Sequence, residues 1–341
     1  MRSYAWLMWL AACAVVLWTT RNPLYLVLVL LCIVWVRTAL THHAGPAVVA
    51  SAPISLVRLV VFMVPLSAVL NAVWTHAGDT VLFRLPGWLP LIGGTVTLEA
   101  LVYGTLNGFV LAGFIIAFSV LNSALPVRAL VNLIPCAFHP LAVIVSIAIT
   151  YVPFTIRQAQ AIRDAQMIRG HELRRVRDWL PLFMPLLAGG LERALQLAEA
   201  ITARGFANPG KSNLKLEALT LLGVLLAGLG WLLRLLLPAI AVWGWLGLAL
   251  GIGLTAFSIW RLGIRIPRTR YRLEKWSLRD GVVVGAAVLA VAGIILPVFN
   301  RATLFYDPYP VLKLPLFDPF IGLCLLCLAA PAVILMIDKP E

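Results

Sequence analysis

The chain has 341 residues, 62% hydrophobic and only 12% charged, whereas soluble domains carry about a quarter charged residues, so an ordinary soluble protein is excluded and an integral membrane protein is predicted. The net charge of +13 does not indicate nucleic acid, because ten of the 27 Lys and Arg fall in 155–215 and seven more in 261–279. Such clustering suits loops on one side of a membrane.

Apolar runs of about 18 residues or more can cross a hydrocarbon core of about 30 Å. In chain order they are 4–20, 24–40, 54–74, 98–121, 216–236, 239–260, 281–298 and 319–337, which predicts an all-α polytopic protein of about eight spans. Arg21-Asn22-Pro23 is the turn between the first two. Leu10-Ala11-Ala12-Cys13 has the form of a lipoprotein cleavage box, but the apolar stretch ahead of Cys13 is short and more membrane-like sequence follows, so an uncleaved first helix is expected. The piece 75–97 is rich in Gly and Pro and reads as a loop with room for a small hairpin. Gly104 to Gly108 and Gly247 to Gly251 have the spacing of close helix crossings. Asn71, Asn107 and Ser119, the main polar groups in the span interiors, are expected to bond between helices.

The apolar stretch Leu141–Val152 is bounded by His139-Pro140 and Pro153. As a helix it would rise only about 18 Å, so it is expected to be a short buried helix, not a span. Both termini then lie in the cytoplasm, with 22 of the 27 basic residues inside and Arg21, Arg84, Arg234, Arg301 and Lys313 outside. The expected domains are 1–121 with four spans, 122–215 in the cytoplasm, a transmembrane hairpin at 216–260, and a C-terminal extension at 261–341 with a basic loop and two spans.

Within 122–215, residues 155–178 place Ile156, Ala159, Ile162, Ala165 and Ile168 at helical spacing among charged and amide residues. A second amphipathic helix covers 191–204. Gly205 to Ser212 spells the nucleotide-binding pattern G-x-x-x-x-G-K-S. That pattern works when a strand delivers the loop to a helix N-terminus; here Gly205 ends a helix, Pro209 lacks a backbone donor, and a membrane span follows. No nucleotide site is expected.

Both amphipathic helices end in Arg-Gly, as Ala165-Gln166-Met167-Ile168-Arg169-Gly170 and as Glu199-Ala200-Ile201-Thr202-Ala203-Arg204-Gly205-Phe206. A cation followed by glycine is an ordinary helix terminus; two copies on neighbouring helices attached to a membrane domain suggest paired docking pegs. On these residues, and on Asn22-Pro23, Thr97-Leu98-Glu99-Ala100-Leu101 and Tyr151-Val152-Pro153, the chain resembles the transmembrane T subunit of energy-coupling factor (ECF) transporters, similar to the cobalt transport protein CbiQ. The resemblance covers about residues 1–235, and Ile168 stands where that family usually has alanine. It implies a non-enzymatic subunit of the bacterial cell membrane that couples two ABC-type ATPases to a small substrate-binding membrane subunit carrying a vitamin or metal ion. It further implies that Arg169, Gly170, Ala203, Arg204, Gly205 and Phe206 dock the ATPases, with Ala165, Gln166 and Glu199 supporting them. Neither cofactor, metal nor nucleic acid is implied.

A membrane-embedded enzyme and a secondary transporter stay as alternatives. No catalytic motif accompanies His42, His43, His76, His139 or His171. Cys324 and Cys327 form a C-x-x-C inside an apolar span, a place for small packing residues more than for a redox pair.

Overall fold

A computed structural model describes residues 2–44, 56–75, 77–84, 94–131, 133–135, 138–170, 179–205, 214–236, 241–264, 276–296 and 301–337. Its helices are α1 (Ser3–Thr19), α2 (Pro23–Ala44), α3 (Leu56–Trp74), α4 (Leu98–Ala124), α5 (Val127–Val131), α6 (His139–Ile168), α7 (Leu180–Ala203), α8 (Leu214–Leu236), α9 (Ala241–Ile264), α10 (Leu278–Ile295), α11 (Pro319–Leu326) and α12 (Ala330–Ile337). A small antiparallel ribbon, β1 (Val81–Arg84) with β2 (Thr95–Thr97), precedes α4. Each apolar run expected to span carries a helix over its described part. The chain divides into two compact units, residues 1–126 with 272–341, and residues 127–271.

In the first unit the C-terminal helices pack against the N-terminal ones. Asp280 accepts from the backbone of Arg2 at 2.8 Å and from that of Ser277 at 3.2 Å, so one carboxylate caps the starts of both α1 and α10. Those helices therefore run parallel. Trp9 donates its indole N–H to the Leu328 carbonyl at 2.8 Å, and the Asn22 amide donates to the carbonyls of Thr303 (2.8 Å) and Leu316 (2.7 Å). The backbone of Asp318 donates to the Tyr25 hydroxyl at 2.7 Å, and the Tyr25 and Phe317 rings lie 5.2 Å apart. Buried polar groups away from water need such partners.

The polar span residues divide. Arg21 donates to Asn107 Oδ1, and Arg37 donates to Ser119 Oγ at 3.0 Å, so α2 and α4 run parallel. Asn71 Oδ1 is buried without a partner among the described residues, which corrects the expectation of a bond there. The space around Asn71 is taken by close backbone approach instead: a Cβ on Gly104 would sit 2.6 Å from the Asn71 Cβ and 2.7 Å from the Ser67 carbonyl oxygen.

In the second unit α8 and α9 form a close pair. A Cβ on Gly251 would lie 2.3 Å from the Ala227 nitrogen, and one on Gly230 2.5 Å from the Leu248 nitrogen. Small residues let backbones approach where lipid gives no hydrophobic drive for association. The Arg234 guanidinium lies over the Trp245 and Trp231 rings at 4.1 and 5.6 Å, the arrangement of an interfacial anchor.

Two helix boundaries differ from the sequence reading. The stretch expected as a short buried helix is the first half of the 30-residue α6, with Leu141, Ile144 and Val152 exposed within the chain. Pro153 lies inside it, because a proline forfeits one i to i−4 bond, here to Ile149, and the flanking turns persist. Thr155 Oγ1 donates back to the Tyr151 carbonyl at 3.0 Å and supports the weakened turn. By length and composition α6 joins the membrane-crossing candidates. Likewise α7 begins at Leu180, well ahead of the expected start at 191, and contains Pro185 and Gly189–Gly190.

Candidate functional site

The two Arg-Gly signatures stand at the ends of α6 and α7 with nearly the same backbone. Arg169 has φ −81° and ψ 4°, Arg204 φ −83° and ψ 4°; Gly170 and Gly205 follow at φ +82° and +77°. Gly170 N–H donates to Met167 at 3.0 Å and Gly205 N–H to Thr202 at 2.9 Å. Positive φ is what closes a helix in a left-handed cap, and glycine adopts it without a Cβ penalty. Among the described residues no atom lies within 4 Å of a Cβ built on either glycine. Conformation, not crowding within this chain, requires glycine at both positions.

Arg169, Arg204, Ala165, Ala203 and Glu199 are exposed, and Gln166 is half-buried. Among the described residues neither guanidinium has a hydrogen-bond or ion-pair partner. Each sits at the negative end of its helix dipole, which favours a cation there. Ile168 is 88% exposed beside Arg169, so each peg presents charge and Ile168 adds apolar surface to the first. Phe206 and His171 fall outside the described residues, as does the stretch 206–212 of the nucleotide-like pattern. Gly205, at its start, caps a helix and ends no strand.

What the sequence reading missed is the joint between the helices. Arg193 of α7 donates to Gln158 Oε1 of α6 at 3.1 Å, and its guanidinium lies 3.9 Å over the Phe154 ring. A Cβ on Gly189 would sit 2.9 Å from the Gln158 amide nitrogen, so the helices touch there. Gln158 precedes Arg169 by 11 residues, and Arg193 precedes Arg204 by 11. Each arm is thus about three turns long, about 16 Å from joint to arginine. Eleven residues bring the helix back to nearly the same face, which puts joint and signature in line on both helices. The equal offset is visible in the sequence; that Gln158 and Arg193 meet is not.

This arrangement holds two cations at fixed, equal distances from one crossing. Guanidinium groups so placed suit bidentate pairing with carboxylates. Among the described residues no group of three His, Cys, Asp or Glu is placed to hold a metal ion.

Residues 3–216 match the family model described as CbiQ, cobalt transport protein. Three relatives carry the name energy-coupling factor transporter transmembrane protein EcfT. The protein from Leuconostoc gelidum subsp. gasicomitatum is 29% identical over 150 residues, 37% of this chain and 56% of its own length. That from Exiguobacterium sibiricum is 27% identical over 172 residues, 46% of this chain and 64% of its length. That from Bacillus subtilis is 35% identical over 74 residues, 20% of this chain and 28% of its length. The matches thus span less than two thirds of the length of these relatives.

Proposed function

This chain belongs to the cobalt transport protein (CbiQ) family, and from that premise we propose that it is the energy-coupling membrane subunit of an ECF-type importer. Two ABC-type ATPases, supplied in trans, take up Arg169 and Arg204 in acidic grooves. A separate small membrane subunit binds the substrate, a vitamin or a transition-metal ion. The observation that carries this reading is the pair of like-capped Arg-Gly ends, without a partner among the described residues, each 11 residues beyond its member of the Gln158–Arg193 joint.

Guanidinium is suited to the task because its planar fork pairs bidentately with carboxylates. When the ATPases close on nucleotide they draw the two tips together, and the rigid arms turn about the joint. On an arm of about 16 Å a rotation of about 10° carries a tip by about 3 Å. The chain itself performs no hydrolysis.

Parity supports the topology. The start of α1 is bonded to the start of α10, and α4 runs parallel to α2, so the chain leaves the first unit after Ala124 and re-enters at Leu278 on one side of the membrane. An even number of crossings must intervene. The hairpin α8–α9 supplies two, and α7, with Glu192, Arg193 and Glu199, is no span, so α6 does not cross either. Its apolar half lies along the membrane and its charged half bears Arg169. With the basic segments inside, both termini are cytoplasmic.

The test is affinity purification of the tagged protein from native membranes, wild type beside Arg169→Glu and Arg204→Glu, with mass spectrometry and assay of ATP-driven uptake. ATPases should accompany the wild type and fall by at least about a hundredfold in each reversal, the scale of losing a buried charge pair. Full recovery of ATPases with either variant, or ATP hydrolysis by the purified chain alone, would refute the reading.

A further inference from the structure

The β1–β2 ribbon has no part in this coupling scheme, and its surface is unusual. Val81, Leu82 and Phe83 of β1 are 44%, 50% and 57% exposed. A bulge lies between Val81 and Phe83, which pair with Thr97 and Val96 of β2; those partners are successive residues and point to opposite faces, so Val81 and Phe83 also lie on opposite faces, and both are apolar and exposed. On β2, Val96 and Thr97 are buried against the rest of the unit.

The ribbon is held firmly at its base. Glu99, in the first turn of α4 and fully buried, accepts from the Thr80 backbone at 3.2 Å and also from the Thr80 hydroxyl. Thr97 Oγ1 donates to the Ala77 carbonyl at 2.6 Å, the Leu98 backbone to Thr80 at 3.0 Å, and the Asp79 backbone to Pro310 at 3.3 Å. An apolar strand that is exposed along Val81, Leu82 and Phe83 is thus fixed in orientation.

Its position relative to the bilayer follows from the helices on either side. β2 passes into α4 with no intervening residue, and α4 has 27 residues, about 40 Å against a hydrocarbon core of about 30 Å. The surplus of about 10 Å puts one end of α4 among the headgroups. α3 ends nearby in Trp74, 70% exposed, a residue type that settles at that level. Arg84, exposed at the end of β1, complements lipid phosphates.

We propose that the β1–β2 ribbon is a membrane-interface anchor, with Val81, Leu82 and Phe83 inserted at the boundary of headgroups and acyl chains, Arg84 on phosphate, and Glu99 the residue that sets its angle. The ribbon fixes the depth of the first unit in the bilayer.

The experiment places a nitroxide singly at Val81→Cys, Leu82→Cys or Phe83→Cys in the full chain, in nanodiscs of phosphatidylcholine and phosphatidylglycerol, with labelled wild type as background. Collision rates with oxygen, which concentrates in lipid, and with a water-soluble nickel chelate are compared. An oxygen-to-nickel ratio several-fold above that of an exposed label at Thr202→Cys, at all three positions, is expected. Nickel-favoured values would put the ribbon in water, and low access to both reagents would put it against protein; either result overturns the proposal. In Glu99→Ala the label at position 83 should gain mobility and shift toward nickel access; an unchanged ratio in folded, monodisperse protein would remove Glu99 from the positioning role.

Discussion

Replacing Arg193 by methionine keeps the length and apolar stem of the side chain while removing the bond to Gln158 and the charge over Phe154. The guanidinium–amide bond in this half-buried setting contributes about 1 kcal/mol, and the cation–π contact about 0.5–1 kcal/mol. The joint therefore loosens by about 1–2 kcal/mol, too little to unfold the helices. Its effect is geometric: each additional 10° or so of angular freedom spreads an arginine tip by about 3 Å over an arm of about 16 Å, comparable to the length of a hydrogen bond. Pulsed electron resonance between nitroxides at Asp164→Cys and Ala200→Cys, with labelled wild type as background, should show a distance distribution broadened by several ångströms in Arg193→Met. Uptake should fall about tenfold, as about 1.4 kcal/mol implies, while the amount of protein in the membrane is unchanged. Gln158→Ala removes only the hydrogen bond and keeps Arg193 over Phe154, so it should act in the same direction to a smaller extent, and the double variant should be little worse than Arg193→Met alone. If Arg193→Met leaves the distribution as narrow as wild type and uptake intact, the joint is held by something else and the lever argument fails.

Gly170→Ala and Gly205→Ala should each cost about 1–2 kcal/mol at their own helix end, the left-handed penalty, with no steric clash among the described residues; ATPase recovery should drop about tenfold, and asparagine at the same positions should restore part of it. Gly251→Ala forces a Cβ to 2.3 Å from the Ala227 nitrogen and should lower thermal stability by about 1–3 kcal/mol, whereas Gly253→Ala, with open space around it, should be neutral or raise it by about 0.5–1 kcal/mol; equal melting of the two would contradict the tight α8–α9 seam. Asn22→Ala leaves the carbonyls of Thr303 and Leu316 without their donor and should destabilise the first unit by about 2–4 kcal/mol, read as faster proteolysis within 301–318.

Composition and apolar run length determined the class of this protein, because crossing hydrocarbon demands helices of a minimum length whatever they pack against. The Arg-Gly caps were equally legible: positive φ after a helix is a local demand, and the chain writes it as glycine at 170 and 205. Local signals failed where neighbours in space decide. Pro153 looked like a boundary, yet it sits inside a helix, as does Pro185, because one missing hydrogen bond is less costly than ending the element. Asn71 looked like a bridge, yet the close approach of α3 and α4 leaves its Oδ1 without a partner among the described residues. The meeting of Gln158 with Arg193, and of Asp280 with Arg2, joins residues 35 and 278 positions apart, and no periodicity reports such pairs. Sequence alone determined which residues bear the charge at the two helix ends; only the tertiary structure, by crossing α6 and α7 at one point, decided that those charges stand at equal distances from a common joint.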